Sequence, residues 1–423
     1  MAEAAEPRSY ATAAAPAGGA LAPVPAAERV ELVDVLRGFA LLGILLINVQ
    51  VFAAPLQLWF SELKRWPGPL DRTVEILVRF SVQGKFYTLF SLLFGLGLAI
   101  QMQRAEERGA GPAAFVARRL GWLLAIGLVH AFLIWMGDIL VVYAVLGFLL
   151  IPFRGRRVKT LAIWAGVLLA LPPLVLAVPT FLVDVPGPGA DEVAESIESA
   201  LAAYSSGDLG RIFDQRAHDV LMVWAFSFMS APSFLGLFLL GAIAGRLGRF
   251  RDAAACGALA RRWLRPLAAI GVLGNLVLVV AMEVDPRPFS PVGWIGQLCA
   301  TLGLPAMALA YVAAIVLLVE RAGWRRRLAP LAAVGRMALS NYLLQSLVCT
   351  AIFNGYGWIG LYGRVSIHQG VLLAIAVFAL QVPWSNWWLR RYRFGPLEWV
   401  WRSLAYGRRQ PMRLEPAAYG ATG

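Results

Sequence analysis

Apolar stretches of about twenty residues recur along the chain, separated by short polar connections. Ten stand out, near 33–53, 78–101, 118–135, 138–153, 159–182, 219–244, 265–283, 292–319, 330–352 and 367–389. A helix needs roughly 20 apolar residues to cross a hydrocarbon core of about 30 Å, and in lipid only helices or closed barrels satisfy their own backbones. Strand-like alternation and heptads are both missing from the pattern. The expected fold is therefore all-α, a polytopic membrane helical bundle of about ten transmembrane helices. The third and fourth stretches are short and separated only by Met136-Gly137-Asp138, which predicts a tight helical hairpin. Between 190 and 217, Val193, Ile197, Leu201, Leu209, Ile212 and Phe213 are spaced among acids, as in amphipathic helices interrupted at Gly207-Asp208.

Composition agrees with this pattern. Of 423 residues, 59% are hydrophobic and 15% charged, against about 25% charged in a soluble domain. A soluble enzyme, a disulfide-rich secreted module and a disordered scaffold are excluded. The net charge of +13 reads as topology and not as nucleic-acid binding, because the basic residues sit in alternate connections. Arg104, Arg108, Arg118 and Arg119 form one group, and Arg154, Arg156, Arg157 and Lys159 the next. Further groups run from Arg246 to Arg265, from Arg321 to Arg336 and onward from Arg390. The opposite connections are poor in basic charge, except for Lys64, Arg65 and Arg72, and the longest is acidic. By the positive-inside rule both termini face the cytoplasm. Residues 1–28 then form a disordered Ala/Pro-rich cytoplasmic extension and 29–389 the bundle, with an outer acidic loop at 184–218. Residues 390–423 form a basic, Trp-rich interfacial tail. Cys256, Cys299 and Cys349 are too scattered for a disulfide framework or a zinc site.

Polar residues inside apolar spans are costly and point to function by default. In the first span Asp34 and Arg37 can pair at i, i+3, and Asn48 lies on nearly the same face as Arg37. Gly38 and Gly43 thin that helix for a close neighbour. Lys85, at the outer end of the second span, either snorkels or supplies an electrophilic or anion-binding group. His130 is the deepest of three histidines and has a pKa range suited to proton transfer near neutral pH. Asp138, across the hairpin, either orients His130 or caps the next helix. His130, His218 and His368 lack the local spacing of a metal site, and no metal is expected. The ninth span contains Arg336, and in it Asn341 and Gln345 share a face, either as interhelical glue or as substrate-binding amides.

The segments RGFALLGILLINVQ, GKFYTLFSLLFGLG, GLVHAFLIWMGDILVVYAVLG, GRMALSNYLLQS and RFGPLEWVWR together resemble the YeiB-like bacterial membrane proteins, the family of domain of unknown function 418. The likeness runs in order from about residue 30 to 404 and implies a bacterial cytoplasmic (inner) membrane location. More coarsely, Asp34-x-x-Arg37-Gly38-x-Ala40 resembles the transmembrane acyltransferases, which move an acyl group from cytoplasmic acyl-CoA to an outer hydroxyl or amine. Many of the O-acetyltransferases carry a histidine near the outer end of the first helix. Here that region holds Asn48, as in the heparan-sulfate branch, which leaves His130 as the local candidate.

The resemblance thus implies a membrane acyltransferase. His130 would act as general base or transient acyl carrier, Lys85 or Asn48 would steady an oxyanion, and Arg37 and Arg336 would meet the anionic end of coenzyme A. Acyl-CoA would be the co-substrate and an envelope glycan or lipid the acceptor. Two alternatives stay open. The same polar face could form a transport pathway for a small anionic or amphiphilic solute, or the chain could be a non-catalytic membrane partner. The lipid bilayer is a partner under every reading, and the sequence does not fix an oligomeric state.

Overall fold

The apolar stretches become helices, and the described residues contain no β-strand. The structure, a computed structural model, describes residues 31–414 apart from 62, 64, 110, 184–188, 249, 251, 286 and 288. The Ala/Pro-rich extension, Lys64, the start of the acidic loop and the last nine residues lie outside the described residues.

The helices are α1 (Glu31–Ala53), α2 (Pro69–Ser81), α3 (Lys85–Glu107), α4 (Pro112–Val129), α5 (Leu140–Leu150), α6 (Val158–Phe181) and α7 (Ala190–Ser205). They are followed by α8 (Leu209–Leu247), α9 (Ala253–Val284), α10 (Pro291–Val319), α11 (Ala322–Arg336), α12 (Ala338–Phe353), α13 (Ile367–Leu389) and α14 (Pro396–Tyr406). Among the described residues, eight helical segments are long and apolar enough to cross a membrane, with α2 and α3 counted together. The shorter apolar α5 and α12 account for the remaining two of the ten apolar stretches, in a multi-pass membrane bundle.

Several boundaries differ from the apolar pattern for local reasons. The second stretch divides at Val82–Gly84, where Gly84 takes φ +83° and separates the charged, amphipathic α2 from α3. The ninth divides at Met337 into α11 and α12. The acidic connection contains α7 and then the start of α8, broken near Gly207 (φ +73°), and Asp208 accepts from the backbone N–H groups of Gly210 and Arg211 as an N-cap.

Helices cross closely where glycines allow it. A Cβ at Gly38 would collide with the Leu331 carbonyl, and one at Gly335 with the Asp34 carbonyl, so α1 and α11 meet backbone to backbone. Gly43 makes room for the Phe86 ring, and Gly95 for the Phe238 backbone of α8. Gly335→Ala is expected to cost about 1–3 kcal/mol through overpacking. A thermal unfolding midpoint in detergent would show it. Gly121→Ala is the control, since a Cβ there meets nothing within 4 Å.

The break at Met337 is capped from a distance. Glu398 of α14 accepts from the backbone N–H groups of Leu339 (2.7 Å) and Ser340 (3.1 Å) and from the Ser340 hydroxyl. This supplies the side-chain cap that α12 lacks at its own N-terminus. Burial raises the Glu398 pKa, and the donors from Ser340 and Leu339 pull it the other way.

Candidate functional site

The α4–α5 hairpin is where the bundle departs most from regular helix. After Val129 the chain forms a π turn over His130–Ile134, closed by the Trp135 N–H donating to the His130 carbonyl at 2.8 Å. Such bulges occur frequently at functional sites. The chain then reverses through Trp135–Ile139 before α5 begins. With 11 residues, α5 is about 16 Å long, about half of a hydrocarbon core. The reversal is enclosed by protein, since Trp135, Met136 and Asp138 are all buried.

The cover comes from α7 and α8. Arg216, 1% exposed, donates to the Leu133 carbonyl at 2.7 Å and to Phe132 at 3.5 Å, at the end of the π turn. Tyr204 donates to Asp219 at 2.7 Å, and its hydroxyl also reaches the Met136 sulfur at 3.9 Å. Phe52 of α1 stacks on Trp135 with ring centroids 3.9 Å apart.

His130 is wholly buried and both of its ring nitrogens are engaged. Nδ1 lies 2.7 Å from Asp138 Oδ1, and Nε2 lies 2.8 Å from Ser346 Oγ on α12. A carboxylate only accepts, so Nδ1 carries the proton, and in the neutral ring this leaves Nε2 as acceptor for the Ser346 hydroxyl. Asp138 Oδ2 meanwhile accepts from the Val141 N–H at 2.7 Å. Asp138 therefore both orients the imidazole and caps α5.

A cavity of about 310 Å³ approaches this cluster from the end of the bundle where α1 begins. Its mouth holds Arg37, Arg104, Arg119, Arg336, Arg393 and Arg402, with Asp34 and Glu398 as the lining carboxylates. Asp34 accepts from Arg37 at 3.3 Å, the i, i+3 pair of the first span. Arg119 lies 3.7 Å from the centre of the Trp401 ring. Burial lowers the Arg402 pKa, partly offset by Tyr406 and Glu398. Six arginines and two carboxylates thus line this end of the cavity. Deeper in, the walls are apolar (Ile44, Leu93, Phe94, Leu123), and the floor includes Tyr143 and Tyr342. The Tyr342 ring lies 5.1 Å from the His130 ring and its hydroxyl donates to the Gly137 carbonyl. It is the partition between cavity and histidine.

The other candidates from the sequence fall in different places. Asn48 accepts from the Tyr87 hydroxyl at 3.1 Å, and the Tyr87 carbonyl accepts from the cavity-floor Tyr143 at 3.2 Å. Lys85 does not snorkel: it is fully buried and donates to the Arg79 carbonyl at the end of α2 (2.9 Å). Asn341 bonds Val334 and Ser385, and Gln345 bonds Gln381, so both amides tie α12 to its neighbours away from the cavity lining. His368 pairs with Asp71 in a separate network.

The chain is 37% identical to the uncharacterized protein YxaH of Bacillus subtilis (strain 168) over 93% of its own length and 98% of the relative's. Residues 244–408 match the model described as protein of unknown function (DUF418). The chain belongs to the DUF418 family. It is also 29% identical to the uncharacterized protein YeiB of Escherichia coli (strain K12), over 89% of this chain and 96% of that one. A 39.9 kDa protein of Bacillus acidopullulyticus, encoded in the amylase 3′ region, matches at 29% over 94% of this chain. The DUF418 segment contains Arg336, Ser346 and Glu398, whereas His130 and Asp138 precede it, so the cluster joins both halves of the chain.

Ser346, Arg119, Arg216, Arg402 and Tyr143 are the residues that the sequence pattern did not single out. Ser346 lies one helical turn beyond Tyr342, in a span that also carries Ser340, Asn341 and Gln345, and a small hydroxyl among them gives no signal of its own. Arg119 and Arg402 fall among arginines whose distribution already had a topological reading.

Proposed function

We propose that this multi-pass membrane protein is an acyltransferase. It takes an acyl group from acyl-CoA at its arginine-lined end and passes it to a hydroxyl or amine acceptor at the opposite end. The observation that carries this reading is one continuous cavity, cationic at the mouth and apolar along its walls, with a floor one tyrosine ring away from a carboxylate-oriented histidine. The anionic end of coenzyme A suits the arginines, and the acyl-bearing arm suits the apolar walls. His130, held as the Nδ1–H tautomer, turns Nε2 toward the Ser346 hydroxyl, where it can accept a proton in the role of a general base.

In this reading the arginine end faces the cytoplasm, where acyl-CoA is made, and both termini with it, which the positive-inside bias of the connections supports. At the other end a smaller cavity of about 70 Å³ is lined by Gln50, Trp59, Trp66, Glu75, Arg79 and Ser366. The Gln50 amide nitrogen there is buried without a partner, and the surroundings suit a hydroxyl-rich acceptor.

The test uses purified protein in nanodiscs with labelled acetyl- or longer acyl-CoA and a crude envelope extract. Wild type is expected to transfer label to an extract component, and His130→Ala to abolish transfer. Replacing Arg336 with Ala is expected to weaken acyl-CoA binding roughly tenfold, about the worth of one charge-assisted contact, and added salt should weaken it further. Wild-type protein that neither binds acyl-CoA nor transfers label would overturn the reading.

A further inference from the structure

We propose that Ser346 is a catalytic nucleophile that carries the acyl group on the protein between donor and acceptor. This rests on the acyltransferase reading for its substrate but on the Ser346–His130–Asp138 geometry for its chemistry. The three side chains come from α12, the π turn after α4 and the start of α5, and each is at most 2% exposed. Their contacts of 2.8 and 2.7 Å run hydroxyl to Nε2 and Nδ1 to carboxylate, the order in which a base strips a serine proton while a carboxylate fixes its tautomer. Ser346 has a second acceptor, its own helix's Tyr342 carbonyl, but at the longer distance of 3.3 Å.

The environment fits the assignment. Three helical elements and a buried arginine, Arg216, are used to hold an irregular turn in place, and that turn carries the imidazole. Trp135 lies edge-on to His130 at 6.3 Å between ring centroids, and its Nε1 is buried with no partner. An unsatisfied indole N–H on the ring next to the histidine is the kind of donor a developing oxyanion would take up. Tyr342 separates the cavity floor from the pair, so a thioester reaches Ser346 by displacing that ring.

The step balances as follows. Ser346 Oγ bonds to the thioester carbonyl carbon while its proton moves to His130 Nε2. The carbon–sulfur bond then breaks, and the departing coenzyme A thiolate takes that proton, leaving an ester on Ser346. An acceptor hydroxyl next attacks the ester carbon and gives its proton to Nε2. The bond to Oγ breaks, and Ser346 recovers the proton from His130.

An alkyl fluorophosphonate tests the nucleophile without any acyl donor: Oγ bonds to phosphorus, fluoride leaves and the proton passes to His130. Wild-type protein in nanodiscs is treated either with this probe or with labelled acyl-CoA, and modified peptides are located by mass spectrometry. The expected result is a phosphonyl adduct and an ester-linked acyl group, both on Ser346, with phosphonylation at least about 100-fold slower in folded His130→Gln. Phosphonylation of Ser346 without acylation from acyl-CoA would support the nucleophile and remove acyl-CoA as donor. Acyl transfer that proceeds with Ser346 unmodified by either reagent would overturn the serine and leave the acyltransferase reading standing. No modification at Ser346 and no transfer would overturn both.

Discussion

Asp138→Asn is expected to leave the protein folded and to lower acyl transfer by roughly 10³–10⁴-fold, the scale seen when the carboxylate of a Ser-His-Asp set becomes an amide. The cap on α5 can survive, because the asparagine oxygen can still accept from the Val141 N–H. The amide nitrogen then faces His130 Nδ1 and donates to it. That moves the imidazole proton to Nε2, where it blocks acceptance from Ser346. Transfer rate and unfolding midpoint, measured together on one preparation, separate the tautomer effect from a packing defect. A rate equal to wild type would remove Asp138 from the mechanism and leave it as a helix cap.

Arg216→Leu is expected to destabilise the protein by roughly 2–4 kcal/mol and to reduce transfer with it. The guanidinium is buried and donates to the Leu133 and Phe132 carbonyls, at the end of the turn that starts at His130. A leucine fills much of the space but leaves those carbonyls without their donor. It also takes a positive charge from the neighbourhood of Tyr204 and the buried Asp219. The π turn then loses the donor that holds its open end, and the position of the imidazole loosens. Thermal midpoints in detergent and transfer assays should fall together, with Arg216→Lys between wild type and leucine. A stable, active Arg216→Leu protein would show that the turn supports itself.

Much of the architecture was legible from the residues alone. An apolar run of about twenty residues in lipid has to satisfy its backbone internally, so the helical spans and the all-α class follow from hydropathy. The hairpin at Met136-Gly137-Asp138, the Asp34–Arg37 pair and the close approach at Gly38 follow from spacing within one or two elements. Helix breaks were harder to read. Met337 interrupts an apolar run with no glycine or proline at the break, and its cap, Glu398, lies far along the chain.

The sequence by itself determined which spans cross the membrane and which polar side chains they carry, because helical periodicity and backbone hydrogen bonding are local. Only the tertiary structure decided which of those side chains meet. It gave Asn341 and Gln345 partners on α13 and turned Lys85 toward the end of α2. It also brought Ser346 to His130 across 216 positions of chain and gathered arginines from α1, α3, α4, α11 and α14 around one cavity. Those meetings depend on the order in which helices pack, and an apolar face that buries equally well against several neighbours does not encode that order.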